Sequence, residues 1–263
     1  VSEFLTRVFF TFNFLYTSCE RRDFMRLDKL LAHSGFGTRK QVKQLIKDQL
    51  VEVNGQVTKK HGDKVDPDSD TITVSGVPVH YQEFIYLMLN KPQGVISATQ
   101  DDFHETVVDL LEPNDILQDP HPVGRLDIDT EGLLILTNDG KLTHLLTSPN
   151  RDVEKVYGAV VEGLIGEEEV AKFASGLTLD DGYQTKPAQL EILDQDPENN
   201  LTQVQVTLTE GKFHQVKRMF QAVDSQVISL KRLAMGSLTL DPGLEAGSYR
   251  ELTQAEVDQL KAE

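Results

Sequence analysis

The chain has 263 residues, enough for a sizeable core and for one small domain beside a larger one. Its hydrophobic share of 39% and charged share of 26% are those of a soluble globular protein, and no apolar run is long enough to span a membrane. The net charge of −16 argues against a nucleic-acid partner unless positive charge is concentrated locally, while the single cysteine, Cys19, excludes an intrachain disulfide and fits a cytoplasmic location.

The first 24 residues differ in composition from the rest of the chain. The stretch is rich in phenylalanine. A secretory signal would need a continuous apolar centre, and Arg7 and Asn13 break the apolar run here. We therefore interpret residues 1–24 as an extension, disordered or weakly packed, ahead of a domain that begins at Met25.

Residues 25–55 have the pattern of helix, turn, helix, strand and turn. Leucines at helical spacing predict a first helix, and Gly35 and Gly37 end it. Thr38 is the N-cap of a second helix, and the alternation of Val51–Val53 predicts a strand that runs into an Asn54-Gly55 hairpin turn. The buried stripe of the second helix is predicted to be Val42, Leu45 and Ile46.

The same segment concentrates positive charge, with only Asp28, Asp48 and Glu52 opposing it. A basic helical face is more often simply solvated than functional, so composition alone leaves its role open. The basic residues considered for RNA binding are Arg26, Lys29, Arg39, Lys40, Lys43 and Lys47.

A linker near residues 79–84 is predicted to separate a small domain, residues 25–80, from a larger one, residues 84–263. The larger domain opens with an apolar strand, Ile85–Leu89, followed by a turn that Pro92 and Gly94 require. Lys91 lies at the mouth of this turn, and by residue type alone it would be a surface lysine.

The central stretch is a loop of polar residues directly before an apolar run. Leu133–Leu136 is bounded by glycine and by turn formers, which predicts an interior strand. A loop positioned by a rigid strand is a common place for catalytic groups. The alternative is a polar turn whose side chains bind their own backbone, and residue chemistry alone leaves both open. The polar residues concerned are Arg125, Asp127, Asp129, Thr130 and Glu131.

Further strands and helices are predicted downstream. Strands are expected at 154–161, 189–193, 204–208 and 230–240, and helices at 106–111, 142–146, 216–223 and 252–260. Tyr157 lies in the first of these strands, where β propensity alone favours a core aromatic. Lys217 and Arg218 are neighbours in a helix, and since adjacent residues cannot share a helix face, at least one should point towards a cleft or RNA.

These elements predict an α+β fold: a small domain of helices and a small sheet, then a larger mixed, mostly antiparallel sheet crossed by a cleft. The sequence has no phosphate-binding glycine loop before a helix and no metal-ligand spacing of His, Cys and carboxylates. We therefore expect a reaction without cofactor or metal.

Several motifs resemble those of a known enzyme family. Gly124-Arg-Leu-Asp127, followed by Thr130, Gly132 and Leu133, is similar to the signature of the RsuA/RluA superfamily of pseudouridine synthases, in its RsuA branch. The basic segment resembles an S4 RNA-binding domain, and the resemblance extends from about Met25 to near the C-terminus. Two further segments of this chain, Lys155-x-Tyr157 and Gly211-x-x-His-Gln-Val-Lys-Arg-Met219, resemble the second and third motifs of the family.

The resemblance implies a role for each candidate residue. It makes Asp127 the catalytic residue, which would attack either the sugar or the base of a uridine, with Tyr157 stacking on the base and sharing in proton transfer and Lys217 pairing with the carboxylate. His214 could act as acid or base, but we favour a role in positioning backbone or phosphate. The residues expected to contact substrate are Arg125, Lys91, His214 and Arg218.

The resemblance also implies a partner. We expect ribosomal RNA, free or within a pre-ribosomal particle, and a monomeric protein without membrane contact. The motifs around Asp127 and Lys217 look closer to the small-subunit enzyme, which acts on 16S RNA. Three alternatives stay open: a large-subunit enzyme, a non-catalytic S4-domain assembly factor, and a glycosidase with two carboxylates across a sugar site.

Overall fold

A computed structural model describes residues 24–79 and 81–263. The predicted N-terminal extension lies outside these residues, apart from Phe24. No helix in the described ranges is long and apolar enough to cross a membrane.

The first part of the chain combines two helices with small antiparallel sheets. The helices pack on a core of ten buried side chains, which includes Leu31, Ile46 and Val51. One sheet has the strand order β3-β2-β5-β6, and β1 pairs with β4. The elements are β1 (Met25–Arg26), α1 (Leu27–His33), α2 (Arg39–Lys47), β2 (Val51–Val53), β3 (Gln56–Val57), β4 (Lys64–Val65), β5 (Ile72–Val74) and β6 (Val77–Pro78).

The local signals predicted here are present. Thr38 caps α2 in a capping box, in which its backbone N–H donates to Gln41 Oε1 at 2.8 Å. Asn54 and Gly55 both have positive φ, at 53° and 75°, as a type I′ hairpin turn requires.

The larger part of the chain is built on a nine-stranded sheet. Seven strands follow the order β11-β12-β10-β13-β9-β7-β15, while β14 pairs with β13 and β8 with β9. The strands are β7 (Tyr86–Lys91), β8 (His121–Pro122), β9 (Glu131–Thr137), β10 (Lys155–Glu162), β11 (Gln189–Asp196), β12 (Leu201–Leu208), β13 (Gln226–Met235), β14 (Leu238–Thr239) and β15 (Tyr249–Glu251).

The sheet buries a cluster of apolar side chains on each face. One cluster includes Phe173 and Phe220, and the other includes Leu146 and Leu260. The helices are α3 (Pro113–Ile116), α4 (Gly140–Thr147), α5 (Glu167–Ser175), α6 (Gln215–Gln221) and α7 (Gln254–Lys261). Helices and a mixed sheet together confirm the predicted α+β class.

Two predicted elements differ from the structure. Residues 106–111 form turns, because Asp109 Oδ2 accepts from both the backbone N–H and the hydroxyl of Thr106 at 2.8 Å. The strand expected at 230–240 is a hairpin, since the chain turns between β13 and β14.

The join between β9 and β13 is the one parallel pairing in the described sheet, and it brings the polar loop before β9 beside β13. Gly132 is opposite Arg232 in this pairing, with φ of 102°. A Cβ at Gly132 would lie 2.3 Å from the Arg232 carbonyl oxygen. Glycine is therefore required for the two strands to approach this closely. Tyr157 is opposite Arg232 across the β10–β13 pairing, so the three residues lie on adjacent strands.

Candidate active site

The loop that carries Asp127 is held by hydrogen bonds to Ser97, which is buried, and to Gly94. The Ser97 hydroxyl accepts from the Leu126 N–H at 3.0 Å and donates to the Leu126 carbonyl at 2.9 Å. The Gly94 N–H donates to the carbonyl of Ile128 at 2.8 Å. These bonds fix the backbone immediately before and after Asp127, as expected of a preorganised catalytic loop.

Lys91 holds the same loop from below. Its Nζ donates to the carbonyl of Thr130 at 2.9 Å and to that of Pro92 at 2.9 Å, and the side chain is 0% exposed. Burial lowers the pKa of Lys91 to about 8, although the charges of Asp127 and Asp129 oppose this shift. Lys91 is therefore not the surface lysine that residue type alone suggested, and its bonds to the loop fit the supporting role that the family resemblance also allowed.

Helix α6 brings a second lysine to the carboxylate. Lys217 Nζ donates to Asp127 Oδ2 at 3.1 Å and to Asp129 Oδ1 at 2.5 Å. Burial lowers the pKa of Lys217, but the hydrogen bonds to both aspartates outweigh it, so the pKa lies above its ordinary value. The bond from Lys217 holds the pKa of Asp129 below its ordinary value. The Asp127 side chain is 27% exposed, so it faces the cleft.

The turn before α6 places two stacked rings at the rim of the cleft. His214 has φ of 49° and lies with Nε2 3.6 Å from Asp127 Oδ1. Its ring stacks on Phe213, with centroids 3.7 Å apart. Phe213 is 75% exposed, and an exposed aromatic ring beside a reacting centre is suited to stack on a nucleobase. No pattern in the sequence indicated a role for Phe213.

Tyr157 lies between Asp127 and the apolar floor of the cleft. The ring is largely buried in the core cluster, yet it lines the same pocket as Asp127 and Lys217. Leu208, Val216 and Leu230 form the apolar wall of this pocket. The position of Tyr157 therefore fits both predictions, that of a core aromatic residue and that of a residue at the active cleft.

The remaining predicted contacts divide between cleft and protein. Arg125 is exposed and lines the cleft, and it makes no hydrogen bond or ion pair within the described ranges. Arg218 points away from Asp127 and binds Asp180 and Asp181, the latter at 2.6 Å. Arg218 therefore joins α6 to the loop before β11, which replaces the expected substrate contact. We predicted that at least one of Lys217 and Arg218 points towards a cleft or RNA, and Lys217 lines the cleft.

The basic face predicted for RNA is exposed, but its members differ in their partners. Arg26 donates to the buried Asp28 carboxylate at 2.8 Å, so part of its charge is used within the domain. No ion pair engages the other five in the part of the chain that the structure describes, and all are exposed: Lys29, Arg39, Lys40, Lys43 and Lys47.

Two buried charged residues near the cleft were missed. Glu210 accepts from the Tyr183 hydroxyl at 2.7 Å and from the Gln215 amide at 2.5 Å, and so fixes the start of α6. Arg232 is 2% exposed, and its Nε donates to the carbonyl of Leu133 at 2.7 Å. Glu210 directly precedes the third motif, which begins at Gly211, and this adjacency was the one feature of the sequence that could have indicated its role. Arg232 is one of five basic residues between positions 212 and 232, and this clustering in the sequence does not indicate that it is buried.

Across residues 24–79 and 81–263, no group of three or more His, Cys, Asp or Glu side chains is arranged to hold a metal ion. A metal-free and cofactor-free reaction stays a prediction.

The chain is similar to known proteins over most of its length. A sequence model of the RNA pseudouridylate synthase family matches residues 85–222, and one of the S4 domain matches residues 25–72. The RNA pseudouridine synthase YtzG of Bacillus subtilis is 51% identical over 90% of this chain and 98% of its own length. A crystal structure of a pseudouridylate synthase is 37% identical, covers 90% of this chain and 99% of that chain, and superposes with a TM-score of 0.63.

Relatives named for both ribosomal subunits match. Ribosomal large subunit pseudouridine synthase B of Bacillus subtilis is 43% identical over 90% of this chain and 96% of its own. Ribosomal small subunit pseudouridine synthase A of Escherichia coli is 39% identical over 89% of this chain and 98% of its own.

Proposed function

The chain belongs to the RNA pseudouridylate synthase family, and from that premise we propose that it isomerises a uridine of ribosomal RNA to pseudouridine with Asp127 as the catalytic carboxylate. The contact between Lys217 Nζ and Asp127 Oδ2, 3.1 Å long and open to a cleft floored by Tyr157, carries this proposal. Relatives named for ribosomal RNA support the choice of substrate class.

The reaction requires a nucleophile and a place for a detached base. In one route a carboxylate oxygen of Asp127 displaces N1 of the base from C1′ of the ribose; in the other it adds to the uracil ring, and the bond between C1′ and N1 breaks afterwards. The base turns and C5 bonds to C1′ while the bond to the Asp127 oxygen breaks, which restores the carboxylate. The proton on C5 passes to a base in the cleft, and N1 takes up a proton. No net oxidation occurs and no group is gained, so the isomerisation is balanced without a co-reactant.

The surrounding residues fit the handling of an everted nucleoside. A uridine within a stem must leave its stack before it can react, and the part of the Tyr157 ring that lines the cleft gives it an aromatic surface to stack on. Arg125 lines the cleft, and its guanidinium has no partner among the described residues, so it is suited to bind a phosphate or to fill the gap that the base leaves. The basic face of α2 would hold the RNA backbone outside the cleft.

Lys217 binds both Asp127 and Asp129, and these two bonds hold the Asp127 carboxylate in one position. Its pKa lies above the ordinary lysine value, so the ammonium keeps its charge at neutral pH. That charge sits beside the reacting oxygen throughout the reaction, in a position to stabilise it electrostatically.

The subunit is the finer part of the proposal. We assign the small-subunit 16S RNA, because the motifs at 124–133 and 211–219 look closer to the small-subunit enzyme. The rival is a large-subunit enzyme, which the 43% identity to synthase B supports. A non-catalytic assembly factor is a weaker candidate, since the aspartate, tyrosine and lysine of the motifs are all present around one cleft.

The proposal is tested by incubating the purified protein with 16S and 23S transcripts and with partly assembled particles, then mapping pseudouridine at single-nucleotide resolution. One new pseudouridine in 16S RNA is the expected result. A site in 23S RNA would establish the rival, and no product in any substrate despite tight RNA binding would favour the assembly factor.

A further inference from the structure

A second cavity adjoins the cleft on the far side of Tyr157. It has a volume of about 210 Å³ and shares Arg125, Tyr157 and Lys212 with the pocket of Asp127. This volume is large enough for a small group such as a phosphate. Thr147, Ser148 and Met235 complete its wall.

Two of the cations that line the cavity, Arg232 and Lys155, have no ion pair with a carboxylate among the described residues. Arg232 is almost fully buried, and its Nη2 has no hydrogen-bond partner within the described residues. Lys155 Nζ donates to the carbonyl of Val153 at 2.7 Å. Burial, followed by the nearby charge of Arg232, lowers the pKa of Lys155 to about 8. The buried Arg232 and the half-buried Lys155 repel one another, and an anion between them would relieve that cost.

The acidic groups nearby are already engaged. Glu210 is the one carboxylate among the described residues of the lining, and its oxygens accept from the Tyr183 hydroxyl, the Gln215 amide and the Lys186 N–H. Asp152 outside the cavity binds Lys186 Nζ at 2.5 Å. The guanidinium of Arg232 therefore has no counter-charge among the described residues of the lining, and a bound anion would supply one.

We propose that this cavity is a phosphate subsite, in which Arg232 and Lys155 bind a backbone phosphate of the RNA next to the everted uridine. This inference rests on the proposed function. A phosphate diester carries one negative charge and acceptor oxygens for both side chains, and guanidinium is well matched to phosphate geometry. With the phosphate fixed on one side of Tyr157, the nucleoside would be directed towards Asp127 on the other.

The test is a set of RNA affinities, measured by fluorescence anisotropy on a ribosomal RNA fragment that the protein binds. Each phosphate around the target is replaced in turn by an uncharged methylphosphonate. At one position we expect roughly tenfold weaker binding by the wild type, and no such loss in Lys155→Met, because that variant has already lost the contact. The slope of log K against log salt should fall by about 0.7–0.9 in Lys155→Met.

Lys141→Met is the matched control, since Lys141 is an exposed lysine outside the cavity lining. It should keep the wild-type response to every methylphosphonate. Arg232→Lys is the second variant and should lose the same single response. If thermal unfolding shows that Arg232→Lys does not fold, the result for Lys155→Met alone tests the subsite, since Lys155 is partly exposed.

Equal losses in wild type and Lys155→Met at every phosphate would overturn the subsite. Calorimetry with inorganic phosphate tests whether the cavity binds free phosphate instead of an RNA phosphate. If wild type binds free phosphate and Lys155→Met does not, while no methylphosphonate position distinguishes the two proteins, the assignment to RNA is wrong. Affinity is read without turnover, so an inactive protein would remove the proposed function while the phosphate coupling could still be measured.

Discussion

At the scale of single residues, two lysines lie on opposite sides of Asp127 and have different partners. Lys217 binds the carboxylate itself, whereas Lys91 binds the carbonyls of the loop that carries it. Of the two, only Lys217 lines the cleft. Loss of Lys217 should therefore affect the chemical step, and loss of Lys91 the position of the loop.

Replacement of Lys217 by Gln should lower kcat about 10- to 100-fold, because a charged hydrogen bond contributes about 1.5–3 kcal/mol and the negative carboxylate would lose its counter-charge. Single-turnover kinetics on a modified RNA fragment would measure this. The neighbouring Arg218→Gln is the control, since Arg218 binds Asp180 and Asp181 away from the cleft. Equal losses in the two variants would show that Lys217 acts only through the stability of α6.

Much of this site could be predicted from the sequence, because the residues within each motif are close together along the chain. Asp127, Tyr157 and Lys217 were predicted from three separate motifs, and the structure brings them around one cleft. The burial of Lys91 and Arg232 could not be predicted. It depends on neighbours far away in sequence, such as the carbonyl of Leu133, which is 99 residues from Arg232.

At the scale of elements, the site depends on the parallel contact between β9 and β13. This contact places Gly132 against Arg232 and so sets the distance between the Asp127 loop and the strand beside Tyr157. Strand positions were predictable from apolar runs and turn residues. The pairing was not, because hydrophobic periodicity does not specify which strand lies next to which.

Substitution of Gly132 by Ala should destabilise the protein by about 2–4 kcal/mol, since it combines an unfavourable positive φ with overlap against backbone atoms. Gly163→Ala is the matched control: its φ of 95° is similar, but nothing lies within 4 Å of its Cβ position. Urea unfolding of both variants separates the conformational cost from the overlap. A Gly132→Ala variant no less stable than Gly163→Ala would contradict the close approach of the strands.

Capping and hairpin signals predicted elements well where the interaction is local. Thr38 and the Asn54-Gly55 turn are examples, because each acts within four residues. Thr106–Leu111 shows the limit of periodicity. Its apolar spacing suits a helix, but Asp109 binds the backbone at Thr106 and favours turns.

At the scale of the whole molecule, charge is unevenly distributed and several groups respond to pH. The net charge is −16, yet five basic side chains of the N-terminal part are exposed without ion pairs in the described ranges. An acidic body with a basic face would repel RNA except where it is to be bound.

Stability should rise between about pH 8 and pH 10. The pKa values of Lys91 and Lys155 are about 8, whereas both side chains would titrate near 10.4 in the unfolded chain. The unfolded state therefore binds more protons in this window, and each lysine adds up to about 1.4 kcal/mol per pH unit to the free energy of unfolding. Above pH 10 the raised pKa values of Tyr81 and Tyr249, about 12, act in the opposite direction.

Urea unfolding at several pH values would check this, with Lys91→Met as the comparison. The variant should lose up to about half of the upward slope, because one of the two lysines is gone. An identical slope in wild type and variant would mean that Lys91 is not the titrating group.

The most direct test of the whole account is Asp127→Asn, which removes the charge of the carboxylate and hardly changes its shape. Pseudouridine formation and RNA affinity would be measured on the same ribosomal RNA fragment. We expect product to fall below detection while the dissociation constant stays within about threefold of wild type, which is about 0.7 kcal/mol. Turnover within tenfold of the wild-type rate would contradict the assignment of Asp127 as the catalytic residue.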